Sequence, residues 1–154
     1  MGSSRLPGKV LLELEGAPVL EHVVSRVQKA GRVDLVAVAT THSAGDDPIV
    51  AWCEQAGVPY YRGDEHDVLA RYVRALDQFP AAAVVRITAD CPAIDPGVID
   101  KAIDVFEASS ADYAGNTRER TFPHGLDVEV VRSDVLKEAH ERAELPAERE
   151  HVTP

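Results

Sequence analysis

The sequence predicts an α/β sandwich with a mostly parallel sheet, in which ligands bind at the carboxyl ends of the strands. Two observations lead to this prediction. Short apolar runs alternate with amphipathic stretches along all 154 residues, and polar residues follow the longer apolar runs. Continuous apolar runs are typical of strands that a parallel sheet buries on both faces, with helices in the connections between them.

Three segments are predicted to form buried strands of this kind. Residues 35–39 and 82–87 are the clearest, because they are almost entirely apolar. Residues 58–61 form a shorter third strand. Each run has the length of a strand rather than that of a helix.

Residues 126–131 predict a fourth strand of a different kind, because apolar and acidic side chains alternate along them. Successive side chains of a strand point to opposite faces of the sheet. The apolar residues of this segment therefore face the core, and we expect Asp127 and Glu129 on the opposite face.

Helices are predicted between the strands, where apolar residues recur with the spacing of a buried helical stripe. A last helix containing Leu136, Ala139 and Ala143 is predicted after Ser133. The stripes are Leu20, Val23, Val24 and Val27; Val68, Leu69, Tyr72, Val73 and Leu76; and Ile99, Ala102, Ile103 and Phe106.

Capping residues predict where several helices begin and end. Asp47 and Asp95 each precede a proline, and this pair suits the N-cap and the first helical position. Ser133 is predicted to cap the last helix. Gly31 and Gly57 stand where a left-handed residue would end a helix.

Composition excludes several classes of protein. The formal net charge of −10 disfavours non-specific binding to nucleic acid, because an acidic surface repels the phosphate backbone. An anionic substrate would need a local cationic pocket or a metal ion. The sequence has no apolar run long enough to span a membrane, and its first residues lack the apolar core of a signal peptide, so we expect neither feature. Cys53 and Cys91 match no zinc-binding spacing and are expected to be buried thiols in a reducing cytoplasm.

The chain is predicted to be one domain, residues 1–154, without repeats or linkers. A glycine-rich segment at its start has no strand before it, although phosphate-binding loops normally follow a strand. The last residues stop where a helix is predicted to begin. We therefore expect the chain to lack the first strand and the last elements of a larger domain.

The segment 2–9 is the candidate phosphate-binding loop. Glycine lets the backbone come close to a ligand, and Arg5 and Lys9 supply positive charge without an intervening acid. The alternative is a frayed polar N-terminus. The segment reads Gly2-Ser3-Ser4-Arg5-Leu6-Pro7-Gly8-Lys9.

Carboxylates form the candidate metal site. Asp90 follows the predicted strand 82–87, and a carboxylate at such a strand end is suited to a hard divalent cation. Asp127 or Glu129 would complete the site. The alternatives are that Asp90 caps a turn and that the other two acids form a solvated strand face.

Polar residues at two further strand ends are candidates for contact with a nucleobase or ribose. Thr40 and Thr41 follow the strand 35–39, and Arg62 follows the strand 58–61. The alternative for all three residues is that they only connect a strand to the following loop and bind no ligand.

Taken together, these motifs resemble those of the cytidylyltransferases that activate acidic sugars, in particular the subgroup of spore coat polysaccharide biosynthesis protein F. The resemblance extends over nearly the whole chain. It rests on segment 2–9 and on Val38-Ala-Thr-Thr41, Asp46-Asp-Pro-Ile49, Arg62-Gly63 with Asp67-Val-Leu-Ala-Arg-Tyr72, Arg86-Ile-Thr-Ala-Asp-Cys-Pro92, Gly125-Leu-Asp-Val-Glu-Val130 and Arg149-Glu-His-Val-Thr-Pro154.

The resemblance implies a Rossmann-like nucleotidyltransferase fold and transfer of CMP from CTP to a sugar, with Mg²⁺ as cofactor and release of pyrophosphate. It implies a cytoplasmic enzyme of surface or spore coat polysaccharide biosynthesis, which binds neither membrane nor nucleic acid and which can form a homodimer. The resemblance implies three groups of site residues: Arg5 and Lys9 hold the CTP phosphates and are catalytic; Gly2, Ser3, Ser4, Thr40, Thr41, Arg62 and Asp90 also bind the nucleotide; Asp90 and Asp127 bind Mg²⁺.

Two other functions remain open at this point. A metal-dependent glycosyltransferase that uses a nucleotide-sugar would share the fold and the strand-end carboxylate. However, Asp90 is followed by Cys91-Pro92 and not by the second acid of an Asp-x-Asp pair. The other possibility is an inactive nucleotide-binding fragment.

Overall fold

The computed structural model describes residues 6–153. Gly2, Ser3, Ser4 and Arg5, which the sequence assigns to nucleotide binding, lie outside the described residues. The chain divides into two compact units, one made of residues 1–36 and 85–131 and the other of residues 37–84 and 132–154. Both units contain helices and strands, in agreement with the predicted α/β class.

The first unit contains a β-hairpin, two helices and most of a three-stranded sheet. The sheet has the strand order β5–β7–β6, and β6 runs antiparallel to β7 with Gly115 opposite Glu129. The elements are β1 (Glu13–Leu14), β2 (Ala17–Pro18), α1 (Val19–Val27), β5 (Ala83–Arg86), α4 (Pro96–Ser109), β6 (Tyr113–Gly115) and β7 (Glu129–Arg132).

The second unit pairs two parallel strands and packs helices around them. In the register of β3 and β4, Thr40 lies opposite Arg62, and Thr41 lies opposite Gly63. The elements are β3 (Val38–Thr41), α2 (Asp47–Ala56), β4 (Tyr60–Gly63), α3 (Val68–Gln78), α5 (Ser133–Arg142) and α6 (Pro146–His151).

The three predicted helical stripes are confirmed as α1, α3 and α4. Every stripe residue of α1 is buried, because the spacing places all of them on one side of the helix. The same holds for Leu69, Val73 and Leu76 of α3 and for Ile99, Ile103 and Phe106 of α4, whereas Tyr72 and Ala102 are half-buried.

The predicted helix ends are confirmed in part. Asp95 caps α4 by accepting hydrogen bonds from the backbone N–H groups of Gly97 and Val98. Gly57 ends α2 with a left-handed φ of 66°. The prediction for Gly31 is wrong, since α1 already ends at Val27.

Two N-cap predictions are also wrong by one residue. Helix α2 includes Asp47 and has Asp46 at its N-cap, and the Asp46 side chain bonds elsewhere. Helix α5 includes Ser133 and has Arg132 at its N-cap. The Ser133 hydroxyl is buried without a hydrogen-bond partner and so does not cap the helix.

The predicted strands differ from the observed ones mainly in where they begin. A strand within residues 82–87 is confirmed by β5, but its residues are half-buried rather than buried as predicted. Strand β3 starts at Val38, and Leu35 is 54% exposed. Strand β4 covers 60–63 rather than 58–61. The prediction of a strand over 126–131 with alternating buried and exposed residues is wrong. Strand β7 begins at Glu129, and the four consecutive residues from Val128 to Val131 are all buried.

The remaining expectations concern the cysteines and the membrane. Cys53 is fully buried, as predicted, but Cys91 is only half-buried. Between residues 6 and 153, no helix has both the length and the apolar character needed to cross a bilayer.

Candidate active site

Lys9 and Asp90 form an ion pair in the first unit, although 81 positions separate them in the sequence. Lys9 begins a short 3₁₀ turn, Lys9–Leu11, which the chain enters through Gly8 at a φ of 70°. Glycine adopts this left-handed backbone without the steric cost that a side chain brings. The turn therefore helps to direct the Lys9 ammonium group to the segment that follows β5.

Asp90 lies in the turn between β5 and α4. Its burial alone would raise the pKa of the carboxyl group, but hydrogen bonds from Lys9 and Thr88 outweigh this effect and lower the pKa below its ordinary value. Asp90 is therefore a carboxylate at neutral pH, in agreement with a role in binding cations.

Asp127 is positioned by Asn116, a residue that the sequence analysis missed. The Asn116 amide donates to the carbonyl of Leu126 at 2.7 Å and accepts from the N–H of Val128 at 2.9 Å. The Asn116 backbone N–H also donates to the Val128 carbonyl at 3.2 Å. These bonds continue the pairing of β6 with β7 and hold the backbone on both sides of Asp127.

The Asp127 carboxylate accepts hydrogen bonds from Arg120 at 2.9 Å and 3.4 Å. Arg120 lies in the segment between β6 and β7, and its side chain is 40% exposed, compared with 30% for Asp127. Arg120 is not predictable from the sequence, because the spacing of Arg120 and Asp127 does not indicate that this segment folds back on itself.

Cys91 lies within electrostatic reach of both predicted metal carboxylates. Burial is the main cause that raises the pKa of its thiol, and the negative charges of Asp90 and Asp127 raise it further. The thiol lies 3.9 Å from the Asp90 carboxylate. Asp90 and Asp127 stay the predicted metal ligands.

The donor set fits Mg²⁺ that arrives with a phosphate ligand. In the described part of the chain, no group of three or more His, Cys, Asp or Glu residues is placed to hold a metal ion. Mg²⁺ is usually bound by one or two carboxylates together with substrate phosphates rather than by an all-protein cage. Asp90 and Asp127 can supply these carboxylates.

Glu129 does not occupy the solvent-facing position that alternation predicts. It is buried, forms an ion pair with Arg86 and accepts a hydrogen bond from the Tyr113 hydroxyl at 2.9 Å. A buried charge is tolerated only when it is paired and hydrogen-bonded, and Glu129 meets both conditions. Glu129 therefore connects neighbouring strands of the sheet, and we do not assign it to the metal site.

Gly115 makes room for this link. A Cβ atom at residue 115 would lie 2.6 Å from the Tyr113 hydroxyl oxygen and 3.3 Å from the backbone oxygen of Val128. Any other residue would thus displace the tyrosine hydroxyl from Glu129 or push β6 away from β7.

Thr40 and Thr41 contact Asp46 in the second unit. Both hydroxyl groups donate to the Asp46 carboxylate at 2.7 Å, and the Thr41 N–H donates to it at 3.0 Å. All three residues are buried. The two threonines thus anchor the loop before α2, and their predicted contact with cytidine stays a prediction.

Arg62 stabilises the same loop from β4. It donates to the backbone carbonyls of Thr41 at 2.7 Å and of Ser43 at 2.9 Å, and it pairs with Asp47 at 2.8 Å. The structure therefore groups Thr40, Thr41 and Arg62 around one loop of the second unit.

Replacing Asp46 with alanine is expected to destabilise the chain by about 2 kcal/mol, because two buried hydroxyl groups would lose their acceptor. Urea unfolding monitored by circular dichroism measures this loss, and Glu65→Ala, which removes an exposed acid of the same unit, is the control. The contribution of Asp46 also depends on pH. Burial would raise the pKa of Asp46, but hydrogen bonds, those from Thr41 and Thr40 among them, hold it well below its usual range.

The sign of this pH dependence follows from linkage. A carboxyl group with a lowered pKa in the folded state stabilises the fold above the pKa of the unfolded chain, about 3.9. The stability difference between wild type and Asp46→Ala should therefore be constant near neutral pH and shrink below about pH 4. An equal difference at pH 7 and pH 3 would contradict this expectation.

Comparison with known proteins identifies relatives over the whole chain. The cytidylyltransferase family model matches residues 1–154. The chain is 37% identical over 153 residues to an uncharacterized protein of Methanocaldococcus jannaschii, covering 99% of this chain and 62% of that protein. It is 33% identical over 158 residues to spore coat polysaccharide biosynthesis protein SpsF of Bacillus subtilis, covering 99% and 65%. The chain thus spans less than two thirds of the length of these two relatives.

A third relative carries the name of a sugar-activating enzyme. The chain is 36% identical over 120 residues to 3-deoxy-manno-octulosonate cytidylyltransferase 2 of Hydrogenovibrio crunogenus. This match covers 75% of this chain and 46% of that protein.

Solved structures confirm the predicted fold. A cytidylyltransferase from Leptospira borgpetersenii superposes with a TM-score of 0.94 at 33% identity, covering 100% of this chain and 66% of that one. A CMP:2-keto-3-deoxy-manno-octonic acid synthetase complexed with CTP superposes with a TM-score of 0.72 at 22% identity, covering 97% and 78%. These neighbours establish a Rossmann-like nucleotidyltransferase fold. The family model matches all 154 residues, and the chain therefore belongs to the cytidylyltransferase family.

Proposed function

We propose that the protein transfers CMP from CTP to a sugar and releases pyrophosphate. Family membership supports this reaction over that of a glycosyltransferase. The names of the relatives support an acidic sugar and a role in surface or spore coat polysaccharide biosynthesis.

The contact between Lys9 and Asp90 is the observation that carries the proposal. It joins the cationic segment at the start of the chain to the carboxylate that follows β5. In a chain of net charge −10, this is a place where a cation and a carboxylate suited to a metal ion lie side by side. A nucleoside triphosphate with its divalent ion needs both kinds of group.

The reaction is a substitution at the α-phosphorus of CTP. A sugar hydroxyl oxygen forms the new bond to phosphorus and loses its proton to solvent, while the bond to the bridging oxygen breaks and pyrophosphate leaves with its electron pair. Negative charge on the phosphoryl oxygens must be stabilised during this step. Lys9 would bind these oxygens through its ammonium group, and Arg5 would do so from the same segment.

Asp90 and Asp127 would hold Mg²⁺ beside the triphosphate. When bound, the ion would neutralise phosphate charge and help to orient the reacting groups. Asn116 contributes indirectly, because its two amide bonds hold the backbone around Asp127 in one conformation.

A nucleotide screen tests the proposal. The protein is incubated with CTP, UTP, ATP or GTP, Mg²⁺ and a panel of acidic and neutral sugars, and pyrophosphate is measured. We expect release with CTP and an acidic sugar. Release of a nucleoside diphosphate from a nucleotide-sugar would instead indicate a glycosyltransferase, and CTP binding without turnover would indicate a nucleotide-binding module.

Replacing Asn116 with alanine is expected to weaken the apparent affinity for Mg²⁺ in this reaction by about tenfold, as is typical for residues that orient metal ligands. The Asn116→Asp variant keeps the bond from the Val128 N–H and loses the one to the Leu126 carbonyl, so its Mg²⁺ affinity should be intermediate. A fall in turnover at saturating Mg²⁺ with an unchanged Mg²⁺ titration would show that Asn116 does not act through Asp127.

A further inference from the structure

Each carboxylate of the proposed metal site is neutralised by a cation from another segment. Lys9 pairs with Asp90, and Arg120 pairs with Asp127. Lys9 already has a predicted partner in the substrate, since it lies in the candidate phosphate loop. The second pair has the same form, but neither the motifs nor the reaction gives Arg120 a role.

The geometry of the second pair suits an exchange of partners. Arg120 presents two nitrogen atoms to the two oxygens of Asp127, at 2.9 Å and 3.4 Å. Both side chains are partly exposed, and ion pairs of this kind contribute little to stability. Separating them therefore costs little, provided that each group gains a new partner.

A divalent cation and a triphosphate would supply these new partners. Asp127 would exchange the guanidinium group for the cation, and Arg120 would be left beside the phosphate oxygens that accompany it. The planar guanidinium group binds phosphate through two parallel hydrogen bonds, as it binds a carboxylate. The Arg120 side chain can thus bind first the Asp127 carboxylate and then a phosphate group of the nucleotide.

We propose that Arg120 is a second triphosphate-binding residue, which is held by Asp127 in the nucleotide-free protein and moves to the phosphates of CTP when Asp127 binds the metal ion. This inference rests on the proposed function, and it adds a residue to the site that the sequence motifs do not assign. It also makes a prediction that a purely structural role for Arg120 does not make.

The prediction is that removing Arg120 affects metal and nucleotide binding in opposite directions. Without its competitor, Asp127 is free to bind a cation, so nucleotide-free Arg120→Ala should bind Mg²⁺ about twofold more tightly or better. The same variant should bind CTP in saturating Mg²⁺ about tenfold more weakly, the usual effect of losing one charged hydrogen-bonding partner. A residue that only stabilised the loop would weaken both.

Two titrations measure these effects on the 154-residue chain. Amide NMR shifts of residues 125–129 report Mg²⁺ binding without nucleotide, and calorimetry reports CTP binding in saturating Mg²⁺. Arg118→Ala is the matched control, because it removes the same charge from the same exposed segment, and it should leave CTP affinity close to that of wild type. Arg120→Lys keeps the charge but loses the planar fork, so its CTP affinity should lie between those of wild type and Arg120→Ala.

Opposite changes in the two affinities, with Arg118→Ala unchanged, would support the exchange. A parallel loss of both affinities, or CTP binding of Arg120→Ala equal to that of wild type, would overturn it while leaving the proposed function intact. Failure of the wild-type chain to bind CTP at all would refute the proposed function and this inference with it.

Discussion

The Lys9→Ala variant is expected to lose about a hundredfold or more in the rate of CMP transfer, because removing one preorganised donor to a developing oxyanion has an effect of this size. Lys9 is the positively charged residue of segment 2–9 that the structure describes, and it contacts Asp90, one of the two proposed metal ligands. Initial rates of CTP-dependent pyrophosphate release, measured at saturating Mg²⁺, check this expectation.

Lys29→Ala is the control for the loss of positive charge. Lys29 belongs to the same unit and is exposed beyond the end of α1. Its replacement should leave the rate of CMP transfer within about twofold of wild type, as is usual for surface substitutions. A Lys9→Ala variant that retained the wild-type rate would remove segment 2–9 from the phosphate site.

The Asp90→Asn variant is expected to lower the rate by a similar factor, about a hundredfold, and to require more Mg²⁺ for half-maximal activity. The asparagine side chain has nearly the same shape but lacks the charge that attracts a divalent cation. Rates measured over a wide range of Mg²⁺ concentrations separate the two effects, because weak metal binding is partly overcome at high concentration.

Asp34→Asn provides the matched control, since Asp34 is an exposed acid of the same unit. It removes one negative charge and should not alter the Mg²⁺ titration. If Asp90→Asn gave the Mg²⁺ titration of wild type, Asp90 would not be a metal ligand, and the interpretation of its contact with Lys9 would need revision.

The helices were the most predictable part of the fold, because their positions depend on local patterns. The spacing of Leu20, Val23, Val24 and Val27 is sufficient to predict α1, since any helix with that spacing has one apolar side. Asp95 predicted the start of α4 because its bonds go to residues only two and three positions away. Interactions between residues that are only a few positions apart can be predicted from the sequence.

The strand that carries Asp127 was less predictable, because its burial depends on distant residues. Alternation predicts that Glu129 faces solvent, but Arg86 and Tyr113 neutralise and bind its carboxylate, so it can be buried. A similar limit applies to Asp46, whose partners Thr40 and Thr41 come from the preceding strand rather than from its own helix.

Part of the candidate site was predictable for a different reason. Motifs indicated Lys9, Asp90 and Asp127, because phosphate and metal chemistry restricts the types of residue at such positions. Asn116 and Arg120 act through the conformation of the segment between β6 and β7, and only coordinates show that this segment returns to Asp127.

The position of Cys91 gives the protein a native chemical probe. Cys53 is fully buried, so in the folded chain an alkylating reagent has access mainly to the half-buried Cys91. The thiolate is the form that reacts. Burial raises the pKa of the Cys91 thiol, and the charges of Asp90 and Asp127 raise it further, so the thiolate fraction is small. Alkylation of Cys91 therefore attaches a label next to Asp90, in the turn between β5 and α4, without any engineered residue.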